Sequence, residues 1–87
     1  GTTAYLEQYS GEQCFALTRS YEGSNLLLLG NTSAEAVSVD LTGLTVGGTT
    51  AEELVLLGEL YTGEEIAERA GTVVTLPAYS ILILGEE

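Results

Sequence analysis

A chain of 87 residues makes one small domain, and at that size it buries only somewhat more than roughly 60% of the surface its unfolded form exposes, so its core has to be efficient. It carries 13 acidic and two basic side chains for a net charge of −11, and no histidine, which excludes nucleic acid phosphates and anionic lipid surfaces as partners and any His-based catalytic triad. A hydrophobic fraction of 45%, with 11 glycines and a single proline, argues for a packed fold of short strands and turns rather than for disorder or long helices.

Three further site classes are weak on the same grounds. Calcium sites need several oxygen ligands at fixed spacing in one loop, whereas Asp40 is the only aspartate and the glutamates are scattered, so no metal or cofactor is expected. The single cysteine, Cys14, lies in an apolar run with no histidine to activate it, and is expected to be a buried, inert thiol. No apolar stretch approaches the length of a membrane span.

In chain order, Thr2–Gln8 is a strand candidate with Ala4 and Leu6 on one face and Tyr5 on the other, ended by a turn at Ser10-Gly11-Glu12. Gln13–Ser20 alternates, with Phe15 and Leu17 expected in the core, and Tyr21–Ser24 connects it by a short hairpin to Asn25–Asn31. The four successive leucines there cannot alternate between core and water, so this strand is expected to be central and covered on both faces. Asn31-Thr32-Ser33 matches the N-glycosylation tripeptide, but its plain reading is a turn. Ala36–Leu41 is a half-buried strand with Val37, Val39 and Leu41 inward.

Thr42–Thr50 is a Gly/Thr-rich loop with one bridge around Leu44–Val46. The next stretch is ambiguous. Thr50 with Glu53 could form a capping box over a short helix at Ala51–Leu57, whereas Gly58 and Gly63 favour strands at Leu54–Leu57 and Glu59–Tyr61 with a return at Glu65–Ala67. The closing stretch GTVVTLPAYSILIL, Gly71–Leu84, holds two β-branched, apolar runs, Thr72–Leu76 and Ser80–Leu84, about a Pro77-Ala78-Tyr79 corner. Tyr79, Ile81 and Ile83 share one face of the last strand, and Leu82 and Leu84 the other. About eight short strands separated by turns define an all-β class, an antiparallel Greek-key β-sandwich forming a single domain over residues 1–87.

The run CFALTRSYEGSNLLLLGNTSAEAVSVDL, Cys14–Leu41, resembles the opening of the C-terminal β-sandwich domain, domain C, of the α-amylase superfamily, glycoside hydrolase family 13. The shared pattern is an aromatic strand ending in Arg, a turn, an apolar strand ending in Asn with Ser or Thr, and an alternating strand. Phe15, Arg19, Asn31, Ser33, Val37, Val39 and Leu41 occupy those places. ELYTGEEI, Glu59–Ile66, is similar to that domain's penultimate segment, and VTLPAYSILIL, Val74–Leu84, to its closing strand pair.

The resemblance implies a piece of a larger enzyme, cut from its C-terminus, whose catalytic carboxylates lie on a preceding (β/α)₈ barrel outside this chain. The acidic pairs Glu52-Glu53, Glu64-Glu65 and Glu86-Glu87 are accordingly read as solvent-facing and outside any pocket. The chain itself is expected to be non-catalytic, to pack on that barrel and to stabilise it. Leu26, Leu28, Leu82 and Leu84 are the candidates for inter-domain packing, because NLLLLG and SILIL are apolar on both faces and one set needs a cover. The parent's compartment is not fixed by these residues; a cytoplasmic one is the slight preference. Two other readings stand beside this one. A carbohydrate-binding module for α-glucans would use exposed aromatic planes, of which Tyr9 and Tyr21, near turns, are the best placed. An immunoglobulin-like interaction module has only the fold in its favour.

Overall fold

Runs of β-branched and leucine residues punctuated by glycine turns fold into ten strands among the residues that the computed structural model describes, 2–6, 10, 11 and 13–86. In chain order they are β1 Thr2–Tyr5, β2 Cys14–Tyr21, β3 Ser24–Asn31, β4 Val37–Asp40, β5 Thr45–Val46, β6 Thr49–Thr50, β7 Val55–Leu60, β8 Glu68–Ala70, β9 Val73–Leu76 and β10 Ser80–Gly85. Eight of them form two antiparallel sheets, ordered β1-β2-β3-β10-β7 and β4-β9-β8, while β5 and β6 make a separate hairpin. The molecule is an all-β sandwich.

The closing pair is interior to both sheets. β10 lies between β3 and β7, and β9 lies between β4 and β8, so the last two strands in sequence insert between earlier ones. The Pro77 corner carries the chain from one sheet to the other. Short turns set the remaining register: Tyr21 pairs with Ser24 across Glu22 and Gly23, both with positive φ, the backbone that a two-residue hairpin of matching twist requires.

The core is one cluster filled by alternate residues of each strand. Leu27, Leu29, Leu82 and Leu84 enter it from the larger sheet, Val39, Val74 and Leu76 from the smaller, and Leu41, Val46, Ala51 and Leu54 from the connecting segments. The register requires this pairing, since Leu84 stands opposite Leu27 and Leu82 opposite Leu29.

Four expectations change. Phe15 and Leu17 do not face the core; Ala16 does, fully buried, because β2 presents its small set, Cys14, Ala16 and Thr18, toward the second sheet. Cys14 packs against the core but is only partly buried. The ambiguous stretch is split between its two readings: Ala51–Glu53 is a 3-10 turn and Val55–Leu60 one strand, with a register shift opposite Ile83 and Leu84. The return strand comes later than Glu65–Ala67, at Glu68–Ala70.

The turn at Ala51–Glu53 is held from a distance. Arg69 on β8 donates from Nη1 to the Leu54 carbonyl at 2.8 Å and from Nη2 to those of Ala51 at 3.1 Å and Glu52 at 3.4 Å. Thr50 donates its hydroxyl to the Glu53 carboxylate at 2.9 Å and makes no bond to the turn's backbone N–H groups, so the capping box is incomplete.

Two carboxylates, Asp40 exposed and Glu86 partly buried, tie loops to the sandwich. Asp40 accepts from the Thr42 hydroxyl at 2.6 Å, the Thr42 N–H at 3.0 Å and the Thr72 hydroxyl at 3.1 Å, and these bonds, the Thr42 hydroxyl's first, hold its carboxyl below the usual value of 3.8. Glu86 accepts from the Asn25 amide at 2.6 Å and the Thr49 hydroxyl at 2.7 Å, joining β3 to the β5–β6 hairpin, and its carboxyl is likewise lowered, the Asn25 bond contributing most. A lowered carboxyl stabilises the fold above its unfolded-state pKa, and the contribution is lost as pH falls through the lower folded value. Unfolding curves taken from about pH 5 down to about pH 2 are therefore expected to show less acid sensitivity in an Asp40→Asn, Glu86→Gln double variant than in the parent sequence.

Candidate docking surface

Alternation places a second complete set of side chains on the outer face of the five-stranded sheet. One cross-strand row runs over all five strands, Tyr5 opposite Leu17, Leu17 opposite Leu28, Leu28 opposite Ile83, and Ile83 opposite Gly58. A second row pairs Phe15 with Gly30, Gly30 with Ile81 and Ile81 with Leu60. The third runs from Thr3 through Arg19, Leu26 and Gly85 to Val55. The first two rows contain no charged residue, and the third contains only Arg19.

Glycines level this face. The Phe15 ring occupies the space a Cβ on Gly30 would need, Leu57 and Leu26 converge over Gly85, and the Ile83 side chain lies against Gly58. Large side chains thus lie along the sheet rather than stand up from it. Exposure rises toward both edges, where Tyr5 on β1 is 58% exposed and Leu60 on β7 is 61% exposed. Five strands about 4.8 Å apart and three rows about 6.8 Å apart span on the order of 400–500 Å². That is comparable to the largest apolar patch of a typical monomer, roughly 300–600 Å², and to one side of an inter-domain interface, roughly 300–750 Å².

The candidates named from sequence separate by parity. Leu26 and Leu28 lie on the outer face, partly buried. Leu82 and Leu84 do not. They are 1% and 0% exposed inside the sandwich and cannot meet a neighbouring domain. Their alternates Ile81 and Ile83 take the outer face, so the grouping of Ile81 with Ile83 against Leu82 with Leu84 holds, while the set pointing outward is the isoleucines. Tyr9 lies outside the described residues, and Tyr21 is described only through its backbone in β2. Tyr61 is committed within the domain: its hydroxyl donates to the Glu59 carboxylate at 2.7 Å and accepts from the Ala67 N–H at 3.0 Å. Burial first, then the bond to Glu59, raises its phenol above the ordinary value.

One end of the sandwich is built around Asn31, 2% exposed at the end of β3. Its amide nitrogen donates to the carbonyls of Glu35 at 2.7 Å, Pro77 at 3.0 Å and Leu76 at 3.1 Å, and its Oδ1 accepts from the Ser33 N–H at 2.9 Å and the Ser33 hydroxyl at 2.8 Å. Ser80, fully buried, donates to the Pro77 carbonyl at 2.8 Å, and the Tyr79 N–H to the Ser33 carbonyl at 3.1 Å. Asn31 thus sews the β3–β4 turn to the β9–β10 corner. In the folded domain its amide is enclosed, so the glycosylation tripeptide is a structural turn.

Beside this corner runs an open groove of about 460 Å³ lined by Ala34, Ala36, Pro77, Ala78 and the 62–65 bend, continuing into a second of about 370 Å³ past Ile66 and Glu68. Glu64 and Glu65 are therefore part of a groove wall, contrary to the expectation that the acidic pairs lie outside any pocket. They are successive residues of one bend, whereas glycoside cleavage requires two carboxylates facing each other across the sugar. Among the described residues no group of three or more His, Cys, Asp and Glu side chains is arranged to hold a metal ion.

Comparison with solved structures gives this all-β sandwich a setting. The chain matches Amy13B of Eubacterium rectale over 100% of its own length with a TM-score of 0.84 and 29% sequence identity, and the α-amylase of H. orenii over 100% with a TM-score of 0.67 and 18% identity. It spans 16% of each of those chains. No family model and no curated protein sequence matches. The structural likeness fits a C-terminal domain of an α-amylase, and a match to so small a part of such chains fits a non-catalytic one.

Proposed function

We propose that this chain is the non-catalytic C-terminal domain of a glycoside hydrolase family 13 enzyme, and that it packs on and stabilises a (β/α)₈ catalytic barrel through the outer face of its five-stranded sheet. The observation that carries this reading is the uninterrupted row from Tyr5 to Gly58, apolar on the side of the sheet away from the core. Burying such a face contributes about 25 cal/mol per Å² of apolar area, which is ample to hold two domains of one chain together.

The test is made in the parent enzyme. Leu28→Glu places a carboxylate at the centre of the face, and the thermal transition of the catalytic domain is expected to fall by several degrees. An unchanged transition, or a parent reading frame whose upstream region encodes no repeated βα pattern, overturns the reading.

A further inference from the structure

The charge of this molecule is distributed in a way that specifies what covers the outer face. Thirteen carboxylates and two guanidinium groups leave little chance for a cation to lie away from acids, yet among the described residues the three rows hold one cation and no carboxylate. Of the two cations, Arg69 is committed to three backbone carbonyls. Arg19 is exposed on β2, between Thr3 and Leu26, and among the described residues its side chain makes no hydrogen bond or ion pair. The nearest acid in sequence, Glu22, sits in the exposed β2–β3 turn. Glu86, beyond Gly85, is turned to Asn25 and Thr49.

Resting on the docking reading above, we infer that the surface seated on this face is apolar at its centre and presents a carboxylate over Arg19. Covering the face removes water from the guanidinium, and a buried cation without a partner costs several kcal/mol. A guanidinium offers a planar fork of donors that a carboxylate fits with two parallel bonds, so the pair fixes the rotational register of the two domains as well as compensating the charge. The same argument disfavours a second copy of this chain as the occupant, because an identical face brings Arg19 no carboxylate from any of its three rows.

The experiment uses the full parent chain, with hydroxyl-radical labelling of Tyr5 and Phe15 reporting whether the face is covered and labelling of the core residues Val74 and Leu76 reporting that the domain is folded. In Arg19→Glu, Tyr5 and Phe15 are expected to label several-fold faster with Val74 and Leu76 still protected, and Arg19→Ala is expected to shift the docked-to-undocked ratio by about thirtyfold or more, the effect of truncating one partner of a desolvated charge pair. Arg19→Lys keeps the charge and is expected to recover part of the protection. If Leu28→Glu uncovers the face while Arg19→Glu and Arg19→Ala leave labelling unchanged, the carboxylate is refuted and docking stands. If neither Leu28→Glu nor Arg19→Glu changes labelling, docking through this face is itself refuted. Face-only labelling that varies with protein concentration in the parent sequence would assign the cover to a second copy, and overturn the inference.

Discussion

Asn31→Ala is expected to destabilise the domain by about 2–4 kcal/mol, out of a total that for a chain of this length is roughly 4–13 kcal/mol. The substitution deletes a donor shared among three carbonyls, two of them on the β9–β10 corner, and an acceptor that fixes Ser33. The Leu76 and Pro77 carbonyls both lose a buried bond; Pro77 keeps the Ser80 hydroxyl as a donor, so the larger desolvation cost falls on the Leu76 carbonyl. Chemical denaturation would register the loss as a lower midpoint at unchanged slope.

Asn31→Asp discriminates this account from simple loss of shape. The aspartate keeps the acceptor for Ser33 but sets a carboxylate among carbonyl oxygens, so its folded-state pKa is pushed above its unfolded value of about 3.9. Folding then favours the protonated form. The variant is expected to be relatively more stable below about pH 4 and to lose that advantage as pH rises through the raised pKa, the opposite trend to the contributions of Asp40 and Glu86. A variant whose deficit is independent of pH would contradict the donor role assigned to Asn31.

Leu84→Ala is expected to cost about 2–5 kcal/mol, while Ile83→Ala, one residue earlier, costs this domain far less. Leu84 is fully enclosed between the sheets opposite Leu27, and truncation there leaves a cavity that β10, fixed on both sides by β3 and β7, cannot collapse. Ile83 is only partly buried, on the outer face over Gly58, and its truncation removes contacts without opening a void. Since one kcal/mol corresponds to about 4–8 °C for a domain of this size, thermal denaturation separates the two readily. Comparable losses at both positions would mean that the inner and outer faces have been assigned wrongly.

Much of the fold was legible because strand periodicity and turn chemistry agree. Val39 and Leu41 fall in the core as alternation requires, and the proline corner separates two strands as the fixed backbone of Pro77 demands. Where both alternating sets are apolar, periodicity has no polar phase to read. In SILIL either the leucines or the isoleucines could have faced inward, and only the register with Leu27 and Leu29 decides it. Phe15 misled for a related reason: an aromatic residue suggests core, but here its ring covers a glycine on the opposite side of the sheet.

The 3-10 turn at Ala51–Glu53 was out of reach of local reasoning. Its carbonyls are satisfied by Arg69, which lies 15 residues or more along the chain from each of them. Arg19, by contrast, was visible in the sequence as part of the strand pattern, but that its face carries no carboxylate among the described residues emerges only when five strands are laid side by side.

The central position of the last two strands also governs how the molecule comes into being. During synthesis β3 and β4 emerge well before β9 and β10, and β7 precedes them too, so the neighbours that will flank the closing pair wait with open edges. Neither sheet can be completed until the Pro77 corner has left the ribosome, and the pairings then formed with β3 and β4 are long-range in sequence, a topology that folds slowly. The outer face of the five-stranded sheet therefore exists in full only once β10 has been made, so any surface that covers it has to wait for that strand.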